Sequence, residues 1–120
     1  MTTTTDRLGV RGERIAVAYL TDAGLRVLDR NWRCREGELD LVARDGDALV
    51  FCEVKTRRGT GYGHPVEAVT RAKQRRLRIL AQRWLAAHDE HAPELRFDVV
   101  GVLVRVDRPA LVTHLRAAFS

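Results

Sequence analysis

Three charged side chains near the middle of the chain have the types and the spacing of a site that could act on phosphate. Twelve residues separate Asp40 from Glu53, and Lys55 follows two residues later. Carboxylate oxygens are the ligands that Mg²⁺ takes in proteins. A lysine beside them could orient a water molecule or neutralise charge on a reacting phosphate. The alternative is a hairpin with charged ends that form an ordinary surface ion pair.

The segments around these residues predict a β-hairpin that would bring them together. An apolar run follows Asp40, another precedes Glu53, and Asp45-Gly46 between the runs is a strong turn signal. Folding about this turn places Asp40 opposite residues 51–53. Because side chains alternate along a strand, Glu53 and Lys55 are expected on the same face. The sequence therefore predicts two carboxylates and an ammonium at one end of a hairpin.

The rest of the pattern predicts an α/β fold of order αβββαβ with a short last strand. We expect helices over residues 7–23 and 66–88, and strands over 25–34, 38–44, 48–55, 95–106 and 111–115. A long helix that connects two strands makes those strands parallel, so the expected architecture is a mixed sheet flanked by helices. Residues 1–6 are expected to be a disordered lead, and residues 7–120 a single domain.

Each predicted helix carries one charged residue within its apolar stripe. Glu13 shares a face with Val10, Val17 and Leu20 on the first helix, and Lys73 lies in the stripe of the second. Burying an unpaired charge is costly, so both residues would be explained if they point at a polar site at the sheet edge. The alternative is that each lies near a helix end and reaches water.

Composition favours an anionic partner, and nucleic acid is the usual one. The formal net charge is +5, and of 21 basic residues only Lys55 and Lys73 are lysines. The sequence contains no apolar run of about 18 residues that would predict a membrane span, and its first residues lack the apolar core of a signal peptide. We therefore expect a cytoplasmic protein without a membrane partner, with Cys34 and Cys52 as reduced thiols.

Taken together, these residues resemble the PD-(D/E)XK nuclease superfamily, whose fold is called restriction-endonuclease-like. Within it the chain resembles the bacterial YraN family of uncharacterised, predicted endonucleases, which are similar to archaeal Holliday-junction resolvases. The segments that carry the resemblance are Gly12-Glu13, Asn31-Trp32-Arg33, Gly37-Glu38-Leu39-Asp40, Val50-Phe51-Cys52-Glu53-Val54-Lys55, Lys73 and Arg96-Phe97-Asp98-Val99-Val100. Leu39 stands where the superfamily motif has proline.

The resemblance implies a catalytic site built around a divalent metal, Mg²⁺ or Mn²⁺. Asp40 and Glu53 would hold the ion, helped by the backbone carbonyl of Val54. Lys55 would assist the attacking water or the charge that develops on the phosphate, and Glu13 would complete the metal site through water.

Four further residues are candidates with an open alternative. Lys73 would correspond to the basic or amide residue that many members place on the second helix. Glu38 shares strand parity with Asp40 and could be a ligand, or it could be a solvated acid at a strand start. Asp98 is expected to make a structural hydrogen bond or ion pair. His88 could contact one ion together with His91, but Asp89 and Glu90 favour a solvated helix end.

Basic residues after the predicted hairpin and on the second helix are expected to contact phosphate. They are Arg57, Arg58, His64, Arg71, Arg75 and Arg76. A chain this short has no separate domain for base readout, so we expect a metal-dependent endonuclease that recognises DNA by shape, such as a junction, flap or end. Junction cleavage would need two active sites and therefore a homodimer. The alternatives are a nucleic-acid-binding module that does not cleave, and an interaction subunit of a DNA repair assembly.

Overall fold

The computed structural model of the protein describes residues 4–59 and 69–120, and of residues 4–6 it describes the backbone alone. The elements are α1 (Thr4–Asp22), β1 (Arg26–Cys34), β2 (Gly37–Asp45), β3 (Ala48–Arg58), α2 (Arg71–His88), β4 (Glu94–Val104) and β5 (Leu111–Phe119). This order confirms the predicted αβββαβ pattern with a last strand. Within the described ranges, neither helix has the length and apolar character needed to cross a membrane.

The five strands form one mixed sheet in the order β1-β2-β3-β4-β5. β3 and β4 are parallel because α2 connects them, and the other neighbouring strands are antiparallel. One apolar cluster forms against α1 through Ala16 and Leu20, and a second forms against α2 through Leu80 and Trp84. The predicted mixed sheet flanked by helices is therefore confirmed.

Both helices begin at residues other than those predicted. α1 starts at Thr4, so three of the six residues expected to form a lead belong to the helix, and residues 1–3 lie outside the described residues. α2 starts at Arg71 rather than near residue 66, and residues 66–68 also lie outside the described residues. The Thr70 hydroxyl accepts a hydrogen bond from the Lys73 N–H at 3.1 Å, which satisfies one amide of the first turn and sets this start.

Three strand ends also differ from the prediction by two residues or more, and pairing with β4 explains two of them. β3 continues past residue 55 because it pairs with β4 as far as Arg58 opposite Val104. β5 continues past residue 115 because Phe119 lies opposite Phe97 of β4. β4 itself ends at Val104, two residues before its predicted end, where the chain turns toward β5.

The face of α1 that meets the sheet is narrower than the apolar stripe predicts. Ala16 and Leu20 are fully buried, whereas Val10 is 49% exposed. α1 approaches β3 closely at Gly12. A Cβ atom at this position would lie 2.7 Å from the Cβ atom of Thr56 on β3, and closer still to the Thr56 hydroxyl oxygen. This contact brings the backbone of α1 against β3 one residue before Glu13, while Val10 points away from the sheet.

Asp98 has the structural role predicted for it. Its carboxylate is buried and accepts hydrogen bonds from Arg96 Nε at 2.9 Å, from His114 Nε2 at 2.8 Å and from the Ala117 N–H at 3.0 Å. Burial would raise the pKa of Asp98, but these hydrogen bonds outweigh it and hold the pKa below its usual value. The cluster fastens β5 to β4 at the point where the register of the two strands shifts.

Gly12→Ala is expected to lower the free energy of unfolding by about 1–3 kcal/mol, because the added methyl group overpacks against Thr56. Gly9 lies one turn earlier in α1, and no described atom is within 4 Å of a Cβ atom placed there. Gly9→Ala should therefore raise the stability by up to about 1 kcal/mol through helix propensity. Urea denaturation of both variants measures the difference. Stabilisation by both substitutions would show that α1 does not contact β3 at Gly12.

Candidate functional site

The site forms where the two central strands of the sheet separate. β2 and β3 pair from Asp45 opposite Ala48 as far as Leu41 opposite Cys52. Beyond that pair, the start of β2 stays with β1, and the end of β3 stays with β4. The carboxylate of Asp40 spans the opening, because the Val54 N–H donates to Asp40 Oδ2 at 2.8 Å.

Three carboxylates meet at this opening from two elements. Glu13 on α1 and Glu38 and Asp40 on β2 are half-buried, and one carboxylate oxygen from each lies within 4.8 Å of the others. Arg33 Nε on β1 donates to Glu38 Oε2 at 2.6 Å. Glu38 thus belongs to the cluster, whereas the sequence favoured a solvated acid at a strand start.

Glu53 faces the second helix and has a cationic partner there. It shares strand parity with Leu49 and Phe51, which pack in the cluster against α2. Lys73 Nζ lies 2.5 Å from Glu53 Oε1, and Glu53 is 5% exposed. Lys73, the charged residue in the apolar stripe of α2, thus pairs with a buried carboxylate instead of reaching water. An unpaired carboxylate at this depth would be costly.

A cleft of about 310 Å³ opens beside the acids, between the first half of α1 and the end of β3. It is lined by Leu8, Gly9, Glu13, Asp40, Val54, Lys55 and Thr56. The half-buried Lys55 makes no ion pair or hydrogen bond with the described residues. The structure therefore brings Lys55, Glu13 and Asp40 to one cleft, whereas Glu53 lies beside it and is held by Lys73.

Asp40 lies in an environment that resists its ionisation. Its pKa is raised to about 7, chiefly by burial and then by the negative charge of Glu53, with smaller contributions from Glu13 and Glu38. The hydrogen bond from the Val54 N–H acts in the opposite direction. A divalent cation among these oxygens would remove the repulsion, and hard oxygen ligands of this kind suit Mg²⁺ or Mn²⁺.

The expected phosphate contacts lie on two elements near the cleft. Arg57 and Arg58 end β3, and Arg71, Arg75 and Arg76 are exposed on the first half of α2. The Arg76 side chain reaches the start of β2, because its Cδ atom would lie 3.6 Å from a Cβ atom at Gly37. His64 lies outside the described residues.

Arg33 and the two histidines at the end of α2 have partners that the sequence did not reveal. Arg33 belongs to the segments that carry the family resemblance but had no assigned role, and its contact with Glu38 follows from strand pairing between β1 and β2. His88 and His91 do not converge: His88 contacts Asp29 at 3.4 Å, and His91 contacts Asp89 at 3.8 Å.

Comparison with known proteins yields one family and many similar sequences within it. The model of the Uncharacterised protein family UPF0102 matches residues 12–102. A UPF0102 protein from Beutenbergia cavernae is 60% identical over 111 residues, which cover 92% of this chain and 94% of the relative. UPF0102 proteins from Rhodococcus opacus and Frankia casuarinae are each 54% identical, over 93% and 95% of this chain and over 95% and 97% of the relatives.

Asp40→Asn is expected to stabilise the metal-free protein at pH 8. Because folding raises the pKa of Asp40 from 3.8 to about 7, the stability linked to its protonation is fully present below about pH 4 and is lost as the pH rises through 7. At pH 8 the wild type therefore carries a buried charge that asparagine lacks, a difference on the order of 4 kcal/mol.

Urea denaturation with a chelator at pH 5 and pH 8 measures this effect, and the advantage of the variant should shrink at pH 5. Asp22→Asn, at the exposed end of α1, is the matched control and should show no such pH dependence. A less stable Asp40→Asn protein at pH 8 would show that the carboxylate is not repelled in the fold.

Proposed function

The chain belongs to UPF0102, an uncharacterised protein family, and from its site we propose that it is a metal-dependent endonuclease that hydrolyses DNA phosphodiester bonds. The observation that carries this proposal is the meeting of Glu13, Asp40 and Lys55 in one cleft, where β2 and β3 separate. The element order and the pattern of Asp40, Glu53 and Lys55 support a relationship to PD-(D/E)XK nucleases and to archaeal Holliday-junction resolvases.

The donor set fits a divalent metal ion. Glu13, Glu38 and Asp40 would hold the ion with carboxylate oxygens, which is the chemistry that Mg²⁺ and Mn²⁺ prefer. Glu53 would add negative charge beside Asp40 while its Oε1 remains close to Lys73. Such an ion supplies Lewis-acid polarisation of a phosphate oxygen and neutralises charge that develops during hydrolysis.

Lys55 is the residue proposed to act on the reacting groups. Lys55 lines the same cleft as Asp40 and makes no ion pair with another described residue. It would therefore orient the attacking water or stabilise the charge on the phosphate. A compact ammonium suits this role better than the wide guanidinium that the chain uses nearly everywhere else.

The substrate proposed for this site is DNA recognised through its backbone and shape. Arginines follow the cleft residue Thr56 at the end of β3, exposed arginines lie on the first half of α2, and the net charge is +5. A junction substrate would require a homodimer with two sites. One observation favours a second candidate function, a DNA-binding module that does not cleave. The family resemblance makes Glu53 a metal ligand, but its carboxylate already forms an ion pair with Lys73.

Lys55→Ala is expected to lower the cleavage rate by about two to three orders of magnitude and to leave DNA binding nearly unchanged. Cleavage of branched, flapped, single-stranded and duplex DNA is measured with Mg²⁺ or Mn²⁺, and binding is measured by gel shift in Ca²⁺. Arg26→Ala removes an exposed cation at the far end of the sheet from the cleft and is the matched control. Lys55→Arg should also cleave poorly.

Calorimetry with Mn²⁺ separates the possible results. Lys55→Ala should bind the ion, and Asp40→Asn should not. If Lys55→Ala cleaves at the wild-type rate, the nuclease mechanism is wrong. If the wild type binds DNA but cleaves none of the substrates, the non-cleaving module becomes the better interpretation.

Replacing Arg75 and Arg76 together by alanine is expected to weaken binding to all DNA sequences alike. Each phosphate contact on duplex DNA contributes about −0.9 to the slope of log affinity against log salt, so the slope should become less steep by roughly one to two. Fluorescence anisotropy across a salt series measures it. Arg26→Ala is the control, because Arg26 lies opposite Arg44, at the far end of the sheet from the cleft. An unchanged slope in the double variant would show that α2 does not contact phosphate.

A further inference from the structure

The turn between β4 and β5, residues 105–110, displays an apolar side chain to solvent. Val106 is 86% exposed, more than any other large hydrophobic residue that the structure describes, and Leu111 just after the turn is 52% exposed. Single exposed valines are common on protein surfaces. Exposure alone is therefore no sign of a partner for Val106, and the rigidity, position and charge of the turn are the relevant observations.

The turn is closed by its own hydrogen bonds. The Arg105 guanidinium donates to the Pro109 carbonyl twice, from Nε at 3.1 Å and from Nη2 at 2.7 Å. Asp107 adopts the left-handed conformation with φ 56, and the ring of Pro109 fixes its own φ. Val106 is thus presented from a rigid support, which reduces the entropy lost when it binds a partner.

Strand register places the turn beyond the cleft at the same end of the sheet. β3 and β4 are parallel, with Lys55 opposite Gly101 and Arg58 opposite Val104, and the Gly59 N–H donates to the Val104 carbonyl at 3.3 Å. Arg58, which lies opposite the last residue of β4, is three residues after Lys55, and three residues of strand span about 10 Å. That distance is about three base steps along a DNA strand.

The surroundings of Val106 carry mostly positive charge. Two arginines lie within the turn and two end the neighbouring strand; they are Arg105, Arg108, Arg57 and Arg58. The acid within the turn is Asp107. An apolar tip framed by arginines suits DNA, because the cations can contact phosphates while the tip enters a gap between bases.

We infer that the β4–β5 turn inserts Val106 at a break in base stacking, so that the protein prefers nicked, flapped or branched DNA to continuous duplex. Unstacking a continuous duplex costs free energy that an already broken step does not. The turn would place that break about three base steps from the cleft. The inference rests on the proposed function, because it takes DNA as the occupant of the cleft.

The test compares Val106→Ser with Leu95→Ser, which removes an exposed apolar side chain from the opposite end of β4. Anisotropy in Ca²⁺ gives the affinity of each protein for nicked, flapped and continuous duplexes. Val106→Ser should lose about tenfold of the preference for the broken duplexes, roughly the contribution of burying one valine side chain, whereas Leu95→Ser should keep it. The fluorescence of 2-aminopurine beside the nick should rise with the wild type and not with Val106→Ser.

Thermal unfolding of Val106→Ser should match the wild type, since the side chain is exposed. The inference is overturned if Val106→Ser keeps the full preference for broken duplexes. It is also overturned if the wild type binds broken and continuous DNA with equal affinity. Neither result contradicts the proposed cleavage at the acidic cleft. If Val106→Ser instead reduces self-association in sedimentation without changing DNA preference, the turn is an interface between copies and the inference is wrong. If the wild type binds no DNA, the proposed function fails as well.

Discussion

The hydrogen bond from the Val54 N–H to Asp40 is the contact on which the arrangement of the site depends. Backbone groups inside a sheet need partners, and two central strands normally provide them for each other. Here the carboxylate of Asp40 takes the place of a strand partner just beyond Leu41 and Cys52. The strands can therefore separate without leaving this amide unsatisfied, and the opening between them receives side chains from α1 and α2.

Charge is distributed unevenly around that opening. Lys73 neutralises Glu53, and Arg33 contacts Glu38, yet the pKa of Asp40 remains raised to about 7 by burial and by the neighbouring carboxylates. A fold selected for stability alone would avoid this repulsion, since burying acids together is costly. Unrelieved repulsion at a cleft is typical of sites that bind a cation or act on a substrate.

A second aspartate shows the opposite balance. Asp98 accepts hydrogen bonds from Arg96, His114 and Ala117, which together hold its pKa below the usual value. Its charge is fully compensated, and it ties two strands together. The sequence places both aspartates beside apolar strand residues, so it is the number of donors around each carboxylate that separates a structural acid from a candidate functional one.

The sequence by itself determined the hairpin at Asp45-Gly46, the parallel pair on either side of α2 and the presence of a charge in each helix stripe, because turn propensity and side-chain periodicity are local properties. Only the tertiary structure decided that Glu53 pairs with Lys73, that Glu38 joins Glu13 and Asp40, and that Val10 is exposed. These outcomes depend on where β2 leaves β3 and on how closely α1 approaches the sheet. Both are set by contacts between residues far apart in the chain, which no local pattern records.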